Sequence, residues 1–314
     1  MEVGVTEVLL VRGRGWSGRA VGRVAACVLC IAMLGRAAVG RDQDTPLPEK
    51  HAFLAEVLKR IKSDDRLLSQ YTFRERQVRI DLDGDGRAEK KTTKEFEVYP
   101  SVEGSPAYRR LIATNGVPES PRKLEDADRK HREKLLEWIH DRQAESPSVR
   151  GRRVLKERRE REQEEHIRDD IPRVYDIRLV GREEVRGRPA IVLTLTPRPG
   201  VKPSVEDAAP MTKLRGRAWV DERDFEVVRA DLESTDTINL GWGLLARIGS
   251  GTTLSFERQK VNDEVWLPVR VTAHPKARIA LVKRFDAKII SDYSDYRKFT
   301  VNTAISFAPV KPAK

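Results

Sequence analysis

The chain has 314 residues, of which 35% are charged and 39% hydrophobic, with a formal net charge of +11. That length suits one large domain or two ordinary ones. The apolar fraction excludes a chain without a core, and the charged fraction requires a surface crowded with both signs.

The first 40 residues read as a targeting segment. Arg12, Arg14, Arg19 and Arg23 form a basic region, and Val24 to Leu34 form an apolar run too short to span a bilayer comfortably. Ala38-Val39-Gly40 then places small residues at both recognition positions of a signal peptidase. A signal peptide over 1–40, cleaved before Arg41, is expected, with a retained N-terminal anchor as the alternative. Val24-Ala25-Ala26-Cys27 weakly resembles a lipobox. Most of the apolar run comes after Cys27 rather than before it, so lipid anchoring there is not expected. Cleavage removes five Arg and two Glu, lowering the net charge from +11 to +8, and removes both cysteines, Cys27 and Cys30. The mature chain then has no disulfide, thiol nucleophile or thiolate metal site. No later segment has the apolar length of a membrane helix, so a soluble mature protein is expected.

After a polar leader, Phe53, Leu54, Val57, Leu58 and Ile61 recur at three- and four-residue steps and predict an amphipathic helix that needs a sheet to cover. Tyr71 to Ile80 and the KKTTKEFEVYP stretch predict two strands joined at Asp81-Leu-Asp-Gly-Asp-Gly86. Tyr108 to Thr114 predicts another. From Pro118 to about Asp170 the β pattern stops. Ser120-Pro121 is a helix start, Ser146-Pro147-Ser148 an interruption, and Val154 to Ile167 a charged helix with Glu157–Arg161 and Arg158–Glu162 pairs. Bases and acids nearly balance there, so a solvated helix is expected rather than a nucleic-acid surface. Strands then dominate. Tyr175, Ile177 and Leu179 share a face, as do Ile191, Leu193 and Leu195, and Val265, Leu267, Val269 and Val271 alternate with polar or aromatic neighbours. Ala218-Trp219-Val220, a turn at Asp221-Glu-Arg-Asp224 and a strand from Phe225 predict a hairpin. Pro268 indicates an edge or a bulge. In all, nine to eleven antiparallel strands are expected, and a sheet of that size must curl.

Signs of chemistry are sparse. Asp81, Asp83 and Asp85 resemble the start of a calcium loop, but Thr92 stands where the bidentate acid belongs, which leaves a weak calcium candidate beside a plain hairpin tip. The five histidines have no metal-ligand spacing, and no GxSxG, SxxK or phosphate-cradling glycine loop occurs. Gly241 to Gly249 is apolar, bracketed by glycines and without strand alternation. It reads as a buried crossover or as an apolar flap carrying Trp242, Leu244, Leu245 and Ile248.

Export, an amphipathic helix leading into YTFRER, the AWVDERDFEVVRADLES hairpin and EVWLPVRV before two closing strands together resemble the LolA/LolB-like superfamily of periplasmic lipoprotein-sorting factors. Trp219, Val220, Asp221, Phe225 and Arg229 match that family's hairpin pattern, and the likeness covers most of residues 50–300. The charged helical stretch and the strongly positive balance depart from the carrier. The resemblance implies an α+β fold: a strongly curved antiparallel half-barrel sheet, with an N-terminal helix and a helical excursion over the concave face. One domain over 41–314 is expected, with the charged helical insertion at about 119–170.

The expected function is non-catalytic periplasmic binding of a lipid or lipoprotein acyl chain in an apolar hollow, without cofactor. The alternative is an envelope interaction or sensor protein that keeps the fold without carrying lipid. Candidate acyl-chain residues are Trp219, Phe225, Val227, Trp242, Leu244, Leu245, Trp266 and Leu267. An anionic membrane surface and an envelope protein are further candidate partners. Nucleic acid is not one.

Overall fold

Apolar residues at every second position and turns rich in Gly, Asn and Asp build this protein largely from strands. The computed structural model describes residues 46–61, 68–101, 104–240, 246–279 and 283–298. The expected signal segment lies outside them, as do Trp242, Leu244 and Leu245. No helix among the described residues is long and apolar enough to cross a membrane.

Helix α1 (Lys50–Arg60) is capped by Glu49, whose carboxylate accepts from the backbone N–H groups of His51 and Ala52. Strands β1 (Tyr71–Leu82), β2 (Ala88–Tyr99), β3 (Tyr108–Thr114) and the short β4 (Val117–Pro118) follow. Helices α2 (Pro121–Gln143) and α3 (Pro147–Val174) each begin with a capping serine, Ser120 or Ser146, followed by proline at the first helical position. Ser146-Pro147-Ser148 therefore starts a helix rather than only interrupting one. The recorded ion pair of Glu157 is with Arg153, four residues before it, not with Arg161 as the spacing suggested.

The rest is β5 (Tyr175–Val185), β6 (Arg188–Pro197), a 3₁₀ turn (Glu206–Lys213), β7 (Leu214–Asp221), β8 (Val227–Ser234), β9 (Ile238–Leu240), β10 (Ala246–Ile248), β11 (Thr253–Val261), β12 (Val265–His274), β13 (Lys276–Ile279) and β14 (Lys283–Lys298). Fourteen strands among the described residues exceed the nine to eleven expected, because short pairings such as β9–β10 and β10–β13 carry little sequence signal.

Eleven of them form one curved, unclosed antiparallel sheet with the order β4-β3-β2-β1-β14-β12-β11-β8-β7-β6-β5, and β13, β10 and β9 branch from β14 in that order. The last strand thus lies beside the first, with Val78 opposite Ile290 and Gln77 opposite Ser291. Pro268 sits at a bulge, opposite Arg258 where the β11–β12 register shifts.

Residues opposite one another in an antiparallel pair project to the same face. The register therefore separates two faces. The inner one carries Ile177, Ile191, Leu193, Ala218, Val220, Ala230 and Phe256, covered by Phe53 and Val57 of α1 and by Ile167 and Val174 of α3. The other buries Ala190, Val192, Trp219, Val228 and Trp266. Only the end of α3 contributes buried residues to the inner face. Helix α2 has none and is tied to β3 instead, where Tyr108 and Arg110 both donate to Asp128.

The hairpin between β7 and β8 is held from below. Asp221, 1% exposed, accepts from the backbone N–H of Arg223 and Asp224 at 3.0 and 2.8 Å and from the Arg188 fork at 2.6 and 2.9 Å. Phe225 does not begin the next strand. It closes the turn at φ 56°, a left-handed conformation unusual for an aromatic residue, and its ring packs on Phe53 with centroids 5.6 Å apart.

Candidate functional site

The inner face divides into an apolar region and a polar one. The apolar region is the floor of β5 to β8 and β11 under α1 and α3. Phe225 and Val227 pack against it from the β7–β8 turn. Where the sequence suggested a roomy hollow, the described residues show a face covered by side chains of α1 and α3. Two cavities of about 350 and 260 Å³ lie elsewhere, lined mostly by charged and polar residues. The first is lined by Arg76, Lys91, Thr93 and Glu95 on the outer side, and the second lies between α2 and α3 around Trp138, Arg142, Glu145 and Arg153.

The polar region continues the same face onto β14, β1, β2 and β3. Val271, which packs against the apolar cluster, is opposite Ser291, Ser291 is opposite Gln77, and Gln77 lies two residues from Glu75 on β1. Glu75 is 5% exposed. Its carboxylate accepts from Arg109 Nε at 2.7 Å, Arg109 Nη2 at 2.9 Å and Ser291 Oγ at 3.1 Å. The Arg109 guanidinium lies 3.5 Å from the centre of the Phe96 ring. Tyr293 stands opposite Glu75. Burial, reinforced by the Glu75 charge, raises its hydroxyl above the ordinary tyrosine range, so it stays a neutral donor. Phe73 packs edge-on to Tyr293 at 5.8 Å. A net-neutral ion pair, an amide and two hydroxyls thus adjoin a large apolar surface.

Sequence reasoning missed Glu75, Gln77, Arg109, Ser291 and Tyr293. A signal for the first two was present. In YTFRERQVRI the apolar phase set by Tyr71 and Phe73 continues through Glu75 and Gln77, which places polar side chains on the inward face.

The named candidates do not form one site. Phe225, Val227 and Leu267 are on the inner face, with Leu267 buried beside Tyr71 and Val265. Trp219 and Trp266 are on the opposite face, because each follows or precedes an inward residue by one position. Trp219 Nε1 donates to Glu183 at 2.7 Å, and its ring lies 4.4 Å from the Arg229 guanidinium. Trp266 Nε1 donates to Asp224 at 3.0 Å. Both are committed to charged neighbours and cannot face an inner ligand.

The weak calcium candidate is occupied by the turn itself. Asp81 accepts from Arg79 at 2.7 Å, and Asp83 accepts from the backbone N–H groups of Asp85 and Arg87 at 2.9 Å each. Among the described residues no group of three or more His, Cys, Asp and Glu converges on one point.

One titrating contact locks α2 to the sheet. His131 stacks on Tyr108 at 4.2 Å, and Tyr108 in turn stacks on Tyr99 at 5.8 Å. Burial, then Lys134, lowers the imidazole pKa, while Asp128 opposes them; Arg110 adds a further positive charge to the same cluster. A base whose folded pKa is depressed stabilises the fold above its unfolded value, and that contribution is lost as pH falls through about 6.5. Protection of the α2 amides against exchange, taken relative to the intrinsic rate at each pH, should therefore fall selectively between about pH 7 and pH 5. His131→Gln should remove this pH dependence, and its survival in that variant would place the sensor elsewhere.

No family model matches the chain, and no curated protein matches it. Solved structures do. A Vibrio parahaemolyticus domain, provisionally named an outer membrane lipoprotein-sorting protein domain, is 10% identical, with a TM-score of 0.32 and coverage of 78% of this chain and 92% of that one. The LolA superfamily protein NE2245 from Nitrosomonas europaea is 12% identical, with a TM-score of 0.26 and coverage of 80% and 94%. The MucA/MucB complex of Pseudomonas aeruginosa gives 12% identity, a TM-score of 0.23 and coverage of 79% and 98%.

Proposed function

We propose that this chain is a non-catalytic binding protein of the cell envelope that holds the apolar chain of a lipid or lipoprotein against the inner face of its sheet. The observation that carries the reading is the cover over that face. Helix α1 has eleven residues and only two buried side chains, Phe53 and Val57. Uncovering them costs roughly 1.5–3 kcal/mol each, whereas an acyl chain of about a dozen carbons gains on the order of 10 kcal/mol by burial. A ligand can therefore take the place of α1, and the return of α1 promotes release. In this reading Phe225 and Val227 line the path, and the Glu75–Arg109 pair with Ser291 and Tyr293 meets the polar end.

Native mass spectrometry of the protein purified from its envelope tests this. Adducts in the lipid mass range that disappear on organic extraction are expected. A clean apo mass across preparations would sink the reading. It would leave a second one, an envelope interaction protein that keeps the fold without lipid, which the already covered inner face and an α2 with no fully buried side chain favour.

A further inference from the structure

We infer that the N-terminal half of α3 is a docking surface for an anionic membrane. Residues 147–161 hold seven Arg or Lys and two Glu. Neither acid is free on the outer surface: Glu160 is buried, and the partly exposed Glu157 is paired with Arg153, which also holds Glu145. What remains outside is basic with an apolar centre. Leu155 is 50% exposed and Val154 41% exposed. Arg152, Arg158 and Arg159 lie three or four residues from Leu155, and Arg150 and Arg158 lie four from Val154, so all share the helix surface around them. Glu162 and Glu165 follow only a turn further on and limit the patch to its first half.

Charge complementarity selects the occupant. A row of guanidinium groups around protruding aliphatic side chains fits a sheet of anionic headgroups with acyl chains beneath it. A purely electrostatic nucleic-acid surface would have no use for Leu155. Phosphate headgroups would meet the arginines while Leu155 and Val154 enter the headgroup–acyl boundary. This docking is independent of any ligand on the inner face, since the surface lies outside it.

Co-sedimentation of the full chain with phosphatidylcholine vesicles containing about one third phosphatidylglycerol tests the inference. Binding is expected to these vesicles and not to pure phosphatidylcholine. It should fall at least about tenfold when salt is raised from about 0.1 to about 1 M, as the Debye length shrinks from about 10 to about 3 Å. The triple variant Arg152→Glu, Arg158→Glu, Arg159→Glu should lose about tenfold or more in partitioning, and Leu155→Asp alone should also weaken it. A control with the same charge change on the β1–β2 hairpin, Arg87→Glu, Lys90→Glu, Lys91→Glu, should bind nearly as wild type. Circular dichroism confirms the fold of each variant. Equal losses in the two triple variants, equal binding to neutral vesicles, or tighter binding to a short DNA duplex would each overturn the assignment.

Discussion

Asp221→Ala is expected to be among the most damaging single changes in this protein, lowering stability by about 3 kcal/mol. The carboxylate is 1% exposed and satisfies two backbone N–H groups and both arms of Arg188 at once. Removing it orphans the turn and leaves Arg188 with Asp224 at 3.2 Å as its remaining recorded carboxylate partner. Partial exposure of Arg188 holds the loss below the upper end for buried pairs. Asp221→Asn should cost less, because its amide oxygen can still accept from the turn. The change should also reach the inner face, since Phe225 leaves this same turn to pack on Phe53. Urea unfolding read by tryptophan fluorescence measures the effect, with the exposed Arg270–Asp292 pair as reference. Asp292→Ala should stay within about 1 kcal/mol. If the two alanine variants were equally stable, Asp221 would not anchor the hairpin.

Glu75→Ala should also destabilise by about 3 kcal/mol, because it leaves the Arg109 guanidinium and the Ser291 hydroxyl without their shared carboxylate. Arg109, partly exposed, can recover some hydration, which limits the loss. The informative variant is the double one. Glu75→Met with Arg109→Met replaces the pair by apolar groups of similar size and should regain most of the lost stability. The coupling energy between the two positions should exceed about 1 kcal/mol. If the pair only braces the sheet, the double variant should purify with the same lipid adducts as wild type. If it holds the polar end of a ligand, the adducts should be lost although the protein is folded. Stability and adduct mass together separate the roles.

Much of the architecture was legible because strand alternation and helix periodicity are local properties. The stripe of Phe53 and Val57 predicted a helix lying on a sheet, and Tyr175, Ile177, Ile191 and Leu193 do meet it on one face. Ser120-Pro121 marked the start of α2 because a capping hydroxyl and a proline act within one turn. Phe225 was misplaced for an equally local reason. Its positive φ is imposed by Asp221 below the turn, whereas its own side chain favours a strand.

The candidate site was read less well, and the cause lies in pairing. Trp219 and Val220, or Trp266 and Leu267, are adjacent in sequence yet project to opposite faces, so a list of apolar residues cannot say which of them share a cavity. Glu75 and Ser291 lie 216 positions apart and meet only because the last strand inserts beside the first.

The sequence by itself determined the longer strands and helices, the capped start of α2 and the surplus of positive charge, since each depends on composition or on neighbours within a few residues. The tertiary structure alone decided which faces Trp219 and Trp266 occupy, that α1 and α3 cover the inner surface, and that Glu75 is buried there with Arg109 as its partner. Those outcomes depend on strand order and register, which are fixed by contacts between distant segments.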